Sequence, residues 1–130
     1  MSSKIAVASL LGLGSFAYGE KMSLEAHDLV IQKLESSLHQ IDDADNFMDT
    51  TGLHLQLGNL YSDKSRLLFM EEEKKDCNNC LKSEEFREKA IVQYRTIRNK
   101  LRGVDHEKIS FQMGHLYELG HKDKEALKIY

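Results

Sequence analysis

The hexapeptide Gln56-Leu57-Gly58-Asn59-Leu60-Tyr61 returns almost unchanged as Gln112-Met113-Gly114-His115-Leu116-Tyr117. Each copy is followed by a second echo, Ala90 with Tyr94 and Ala126 with Tyr130, the tyrosine four residues after the alanine in both. Self-similarity of this kind marks one supersecondary unit used twice. A glycine inside a helix costs about 1 kcal/mol against alanine, so a glycine that recurs needs a reason. The reason expected is close packing: Gly58 and Gly114 make room for a bulky side chain from a facing helix, and Ala90 and Ala126 do the same on the second helix. Leu57 and Tyr61, and Met113 and Tyr117, share one face of the first helix at i and i+4. Tyr94 and Tyr130 are expected to fill the gap between the two helices.

The rest of the chain agrees with helices. Proline is absent and charged residues make up 30% of the 130 residues. Apolar residues never alternate over the length of a strand, and sheets normally carry proline at edges or turns. The expected fold class is all-α, made of antiparallel helical hairpins.

The pattern Φ-Gly-x-x-Tyr followed by Ala-x-x-x-Tyr resembles the helix–turn–helix signature of the tetratricopeptide repeat family. The resemblance covers roughly residues 52–130. Gly114 and Ala126 are 12 residues apart, as the family pattern asks, whereas Gly58 and Ala90 are 32 apart, so 20 residues are inserted in the first copy. His54 and Ser110 stand where the family has an early tryptophan, and the terminal proline is missing. The resemblance implies a fragment of an α-solenoid that binds other proteins rather than an enzyme. It also implies a concave groove lined by the first helix of each hairpin. By family position the groove residues are Leu55, Asn59, Ser62 and Asp63 in the first hairpin, and Lys108, Phe111, His115, Glu118 and Leu119 in the second. Asn59 matches one position of the family's carboxylate clamp, but Leu55 and Phe111 stand where that clamp needs basic residues. An extended or helical ligand with apolar anchors suits them better. Leu55 and Phe111 also read as core against an N-terminal helix.

The insertion, about Asp63 to Ser83, opens with a stretch free of helix breakers, so the first helix is expected to run on for about three extra turns. Asp76-Cys77-Asn78-Asn79-Cys80 is turn-prone, and Ser83 before Glu84 and Glu85 reads as an N-cap. The result is a lengthened hairpin with a projecting tip. Cys77 and Cys80 are the chain's only cysteines. In an exported protein they read as a local disulfide; two free thiols, a redox pair and a zinc site are the other readings. Zinc wants four ligands, and a redox Cys-x-x-Cys normally opens a helix in a βαβ setting.

Residues 1–19 read as a secretory leader: Lys4, an apolar run from Ile5 to Phe16, then Ala17-Tyr18-Gly19 with small residues at the cleavage positions. A buried helix or an uncleaved anchor is the alternative, although a bilayer span needs ~20 apolar residues. Residues 20–46 read as an amphipathic helix from Ser23 to about Ala44 with an acidic end, either a capping helix or the second helix of a preceding repeat. Residues 47–102 form the first hairpin and residues 103–130 the second, with Arg102 to His106 as their connection. The final helix is reached at Tyr130 with no polar cap after it, which points to a longer array or to a surface covered by a partner.

The formal net charge is −3, and Lys and Arg are interleaved with Asp and Glu. That pattern argues against a phosphate-binding stripe and hence against nucleic acid. No His-Glu-x-x-His, phosphate loop or nucleophile elbow is present. No cofactor, resident metal or small-molecule substrate is expected, and Glu71-Glu72-Glu73 reads as a solvated face. The expected function is a protein-binding scaffold of the bacterial envelope, periplasmic and meeting the membrane only through partners. A thiol-redox or metal-binding role for Cys77 and Cys80, and a self-assembling repeat protein, are the alternatives.

Overall fold

The computed structural model describes residues 23–43, 49–74 and 81–130, and every regular element among them is a helix. In chain order these are α1 (Leu24–Asp43), α2 (Thr51–Lys74), α3 (Lys82–Arg98), α4 (Gly103–Leu119) and α5 (Asp123–Ile129). The leader read over residues 1–19, and Cys77 and Cys80, lie outside the described residues.

Local capping fixes where the first two helices begin. Ser23 Oγ accepts the Ala26 N–H at 3.1 Å, and the Ser23 carbonyl takes both the His27 N–H and the His27 ring Nδ1. That is an N-cap, followed by a histidine folded back onto the same turn. Asp49 receives the Thr51 N–H at 3.0 Å and the Thr51 hydroxyl at 2.6 Å. These two bonds hold the Asp49 carboxyl below its ordinary value, the hydroxyl first.

α1 buries Ile31 and Leu34, with Leu38 half-buried, while Glu25, Gln32, Lys33, Ser36 and Gln40 are exposed. It therefore covers one side of α2 and turns a polar face outward. α2 and α3 form the most extensive interface. At 24 residues α2 is ~36 Å long against ~25 Å for the 17 residues of α4. α3 lies between α2 and α4, and buries Ala90, Ile91, Tyr94 and Ile97 completely or nearly so.

Two boundaries differ from the sequence expectation. α3 starts at Lys82 with Leu81 at the N-cap, so Ser83 sits inside the first turn instead of capping it. α4 starts at Gly103, which has φ +60°. The connection between the hairpins is thus residues 99–102, and Val104 to His106 are already helical. Gly103 serves here as the left-handed entry to a helix. At the other end of α4, the His121 N–H bonds to the Glu118 carbonyl and the Lys122 N–H to the Tyr117 carbonyl. This is a Schellman stop, with the left-handed position held by His121 at φ +61°.

A ring lies close against bare backbone in both hairpins, between α2 and α3 and again against α4. A Cβ added to Gly58 would meet the Tyr94 ring at 2.6 Å, and one added to Gly114 would meet the Tyr130 ring closer still. Yet the two rings differ in freedom: Tyr94 is 1% exposed and Tyr130 is 53% exposed. In Gly58→Ala the ring has nowhere to go, so an overpacking cost of about 1–3 kcal/mol outweighs the helix-propensity gain of about 1 kcal/mol. In Gly114→Ala the half-exposed Tyr130 ring swings outward and the propensity gain remains. Thermal denaturation should show Gly58→Ala clearly less stable than the parent and Gly114→Ala equal or more stable. Equal losses would contradict the packing account.

Candidate functional site

The residues of the two echoes come together, but unequally. Tyr61 is buried on α2, its hydroxyl donating to Glu35 of α1, and its ring lies 5.9 Å from that of Phe86. Lys64 Nζ stands 4.0 Å above the Phe86 ring and pairs with Asp28 of α1. The equivalent Tyr117 on α4 accepts from Arg95 of α3 at 3.0 Å. Tyr94 donates to Asn59 Oδ1 at 2.6 Å. Tyr130 lies against Phe111 with ring centroids 5.8 Å apart and the rings tilted at 46°, and the Glu118 carboxylate near its hydroxyl helps to raise that group, after burial. Ala90 and Ala126 are both buried at the helix crossings.

Of the groove positions, the first hairpin offers little. Leu55 is half-buried and packs on the core. Asn59 is exposed, but its carbonyl oxygen already holds the Tyr94 hydroxyl, so what it offers a ligand is its amide N–H donors. Ser62 and Asp63 are half-buried, and Asp63 pairs with Arg66. The second hairpin is open. Lys108, Phe111, His115, Glu118 and Leu119 all lie exposed along one face of α4, with Phe111 65% exposed. An exposed aromatic anchor ringed by a cation, an imidazole and a carboxylate can seat an apolar side chain and orient the polar groups beside it.

Several contacts were not signalled by the sequence. Glu72 was read as solvated with Glu71 and Glu73. Instead its Oε2 accepts the Ser83 N–H at 3.1 Å and its Oε1 the Ser83 hydroxyl at 2.6 Å. A carboxylate near the end of α2 thereby caps the first turn of α3, where orphan N–H groups and the helix dipole both favour it. Arg98 donates to Ser110 at 2.8 Å, and His54 Nδ1 lies 2.6 Å from Gln93 Oε1. His54 and Ser110 are therefore both polar bridges to α3. No motif marks such cross-helix partners, because their spacing depends on the length of the intervening loop.

Among the described residues no three His, Cys, Asp or Glu side chains gather as metal ligands. No described helix is long and apolar enough to cross a membrane. Comparison with protein-family models, with curated proteins and with solved structures finds no match to this chain.

Burial raises the Tyr61 hydroxyl, helped by the Glu35 carboxylate, and raises Tyr94, helped by Asp63 and opposed by Arg66. Both groups keep their proton in the fold above pH 10, where an unfolded tyrosine loses it. Stability is therefore intact below pH 10 and falls as the pH rises beyond it. Chemical denaturation across that range should show the decline, and Tyr61→Phe should make it shallower; a flat profile would contradict the burial. For the cap, Glu72→Ala should cost about 1 kcal/mol, the usual worth of an N-cap, seen as a melting temperature lower by a few degrees. Glu72→Gln, which keeps one acceptor, should fall between.

Proposed function

We propose that this chain is a protein–protein interaction scaffold made of two tetratricopeptide-like hairpins, which binds a partner protein along the outer face of α4. The observation that carries the reading is Phe111. It is a large aromatic side chain left 65% exposed on a helix whose opposite face is fully packed, at the position corresponding to Leu55, which is half-buried. Cores take up such side chains when they can, and aromatic anchors with polar residues around them are typical of binding hot spots. Lys108, His115, Glu118 and Leu119 supply the rim. Support for the repeat reading comes from the parallel placement of Gly58 beneath Tyr94 and Gly114 beneath Tyr130. α1 acts as a capping helix, with an apolar side toward α2 and a polar side outward.

The setting proposed is the bacterial envelope, reached by means of the leader at residues 1–19, with Cys77 and Cys80 joined in a local disulfide. Support for this part comes from the sequence pattern alone.

The test is affinity capture from envelope fractions by the full chain, by Phe111→Asp and by Leu29→Asp. Leu29 is an exposed leucine on the far helix α1, so its substitution controls for general loss of apolar surface. The parent and Leu29→Asp should retain the same stoichiometric partner, and Phe111→Asp should lose it. An identical set of captured proteins for all three, or none at all, would sink the proposal.

A further inference from the structure

The interleaving of charges along the chain gives way between Glu88 and Asp105. That stretch holds Lys89, Arg95, Arg98, Lys100 and Arg102 and no acidic residue. It carries +5, whereas the other 13 basic and 21 acidic residues of the chain come to −8. In the fold Lys89 has Glu85 at 4.0 Å. Lys100 stands near enough to Asp49 to help lower its carboxyl, behind the two Thr51 bonds and against burial. The three arginines are held by neutral oxygens instead. Arg95 Nη2 donates to the Tyr117 hydroxyl at 3.0 Å, and Arg98 Nε to the Ser110 hydroxyl at 2.8 Å. Arg102 Nη1 donates to the Asn99 and Leu101 carbonyls at 2.7 and 2.9 Å. Among the described residues none of the three pairs with a carboxylate, although Asp105 and Glu107 are exposed in the first turns of α4. Arg95 and Arg98 are one turn apart on the edge of α3 that meets α4, and Arg102 follows where the chain leaves α3. Arg95 and Arg102 are exposed and Arg98 is half-buried. The bonds engage one or two of the five N–H donors of each guanidinium and leave the others for a ligand. An arginine tied down by neutral groups has lost part of its side-chain freedom already, while its charge is still uncompensated. A carboxylate that meets it in the planar, two-bond geometry then gains most.

We propose that the row Arg95, Arg98 and Arg102 along the α3–α4 seam binds an acidic segment of a partner protein, with Asp or Glu carboxylates bridging the guanidiniums. The charge balance selects a short segment over a polyanionic surface. A nucleic acid or an anionic bilayer reaching past the row meets a chain that is otherwise at −8, and is repelled there. A segment that ends with the row meets cations alone. The end of α3 carries the negative pole of its helix dipole, which disfavours an anion. Arg102 lies over the carbonyls of Asn99 and Leu101 and offsets that pole. The row adds a contact to the scaffold reading and does not rest on Phe111.

The probe is a rhodamine-labelled hexaglutamate peptide, titrated with the full chain at low salt and followed by fluorescence anisotropy. Binding should saturate, and should weaken as salt is raised. Arg95→Gln with Arg98→Gln should weaken it by about tenfold, the scale of two exposed charge contacts. Lys124→Gln with Lys128→Gln removes the same charge from exposed positions of α5 and should change it little. Arg95→Lys with Arg98→Lys keeps the charge without the planar fork and should fall between. Arg95 and Arg98 also tie α3 to α4, so Arg102→Gln, whose bonds stay within its own turn, serves as the second variant. It should weaken binding a few-fold with melting little changed. Phe111→Asp should bind hexaglutamate nearly as the parent does, which distinguishes failure of this proposal from failure of the α4 surface. Equal weakening by the α5 and α3 variants would overturn the proposal, as would absence of peptide binding. Tighter binding to phosphatidylglycerol vesicles or to a short DNA duplex than to hexaglutamate would overturn it too.

Discussion

The closest approach of backbone to side chain in the first hairpin, Gly58 beneath the Tyr94 ring, sets the separation of α2 and α3. Much of the fold depends on that separation. With the ring lodged against bare backbone, the two helices come near enough for Ala90 and Ile97 to be sealed between them, and the Tyr94 hydroxyl emerges at Asn59. The glycine gives up helix propensity so that an aromatic ring can be buried, a favourable exchange because one ring removes ~150–250 Å² from water.

α3 is the helix on which everything converges. One side faces α2 through Ala90 and Tyr94, and the other faces α4 through Ile91, Arg95 and Arg98. α1 stands against α2 much as α3 stands against α4. In each case the tyrosine of the following helix sends its hydroxyl to a charged side chain one helix earlier, Tyr61 to Glu35 and Tyr117 to Arg95. The partner changes sign between the two copies, and a phenol can accept as well as donate, so the same tyrosine position works with either.

How much of this was legible in the sequence depends on whether the signal was periodic. The all-helical class was legible, because the repeated hexapeptide and the absence of strand alternation are local patterns. The helix start at Ser23 and the absence of breakers along α2 were equally local. What escaped was set by partners distant in the chain. Ser83 looked like a cap because a serine before two glutamates usually is one. The carboxylate of Glu72, brought in across the hairpin, meets the turn instead and lets the helix begin at Lys82. Arg102 to His106 looked like the connection between the hairpins, yet Gly103, at φ +60°, already opens α4. The left-handed residue that ends α4 is His121 and not its neighbour Gly120, a choice that composition does not reveal. Phe111 could be read as core or as surface, since helical spacing allows both; in the fold it is 65% exposed beside the Tyr130 ring.

The bond pair from Glu72 to Ser83 has a consequence for how this hairpin can vary over time. Because the two helices are tied to each other before the chain enters the segment at residues 75–80, alignment of α2 with α3 does not rest on the length or chemistry of that segment. Insertions, deletions or new side chains there would leave the register of Tyr94 over Gly58 untouched. The hairpin end is in that sense a site where sequence can drift, or acquire a role, at small cost to the rest of the molecule.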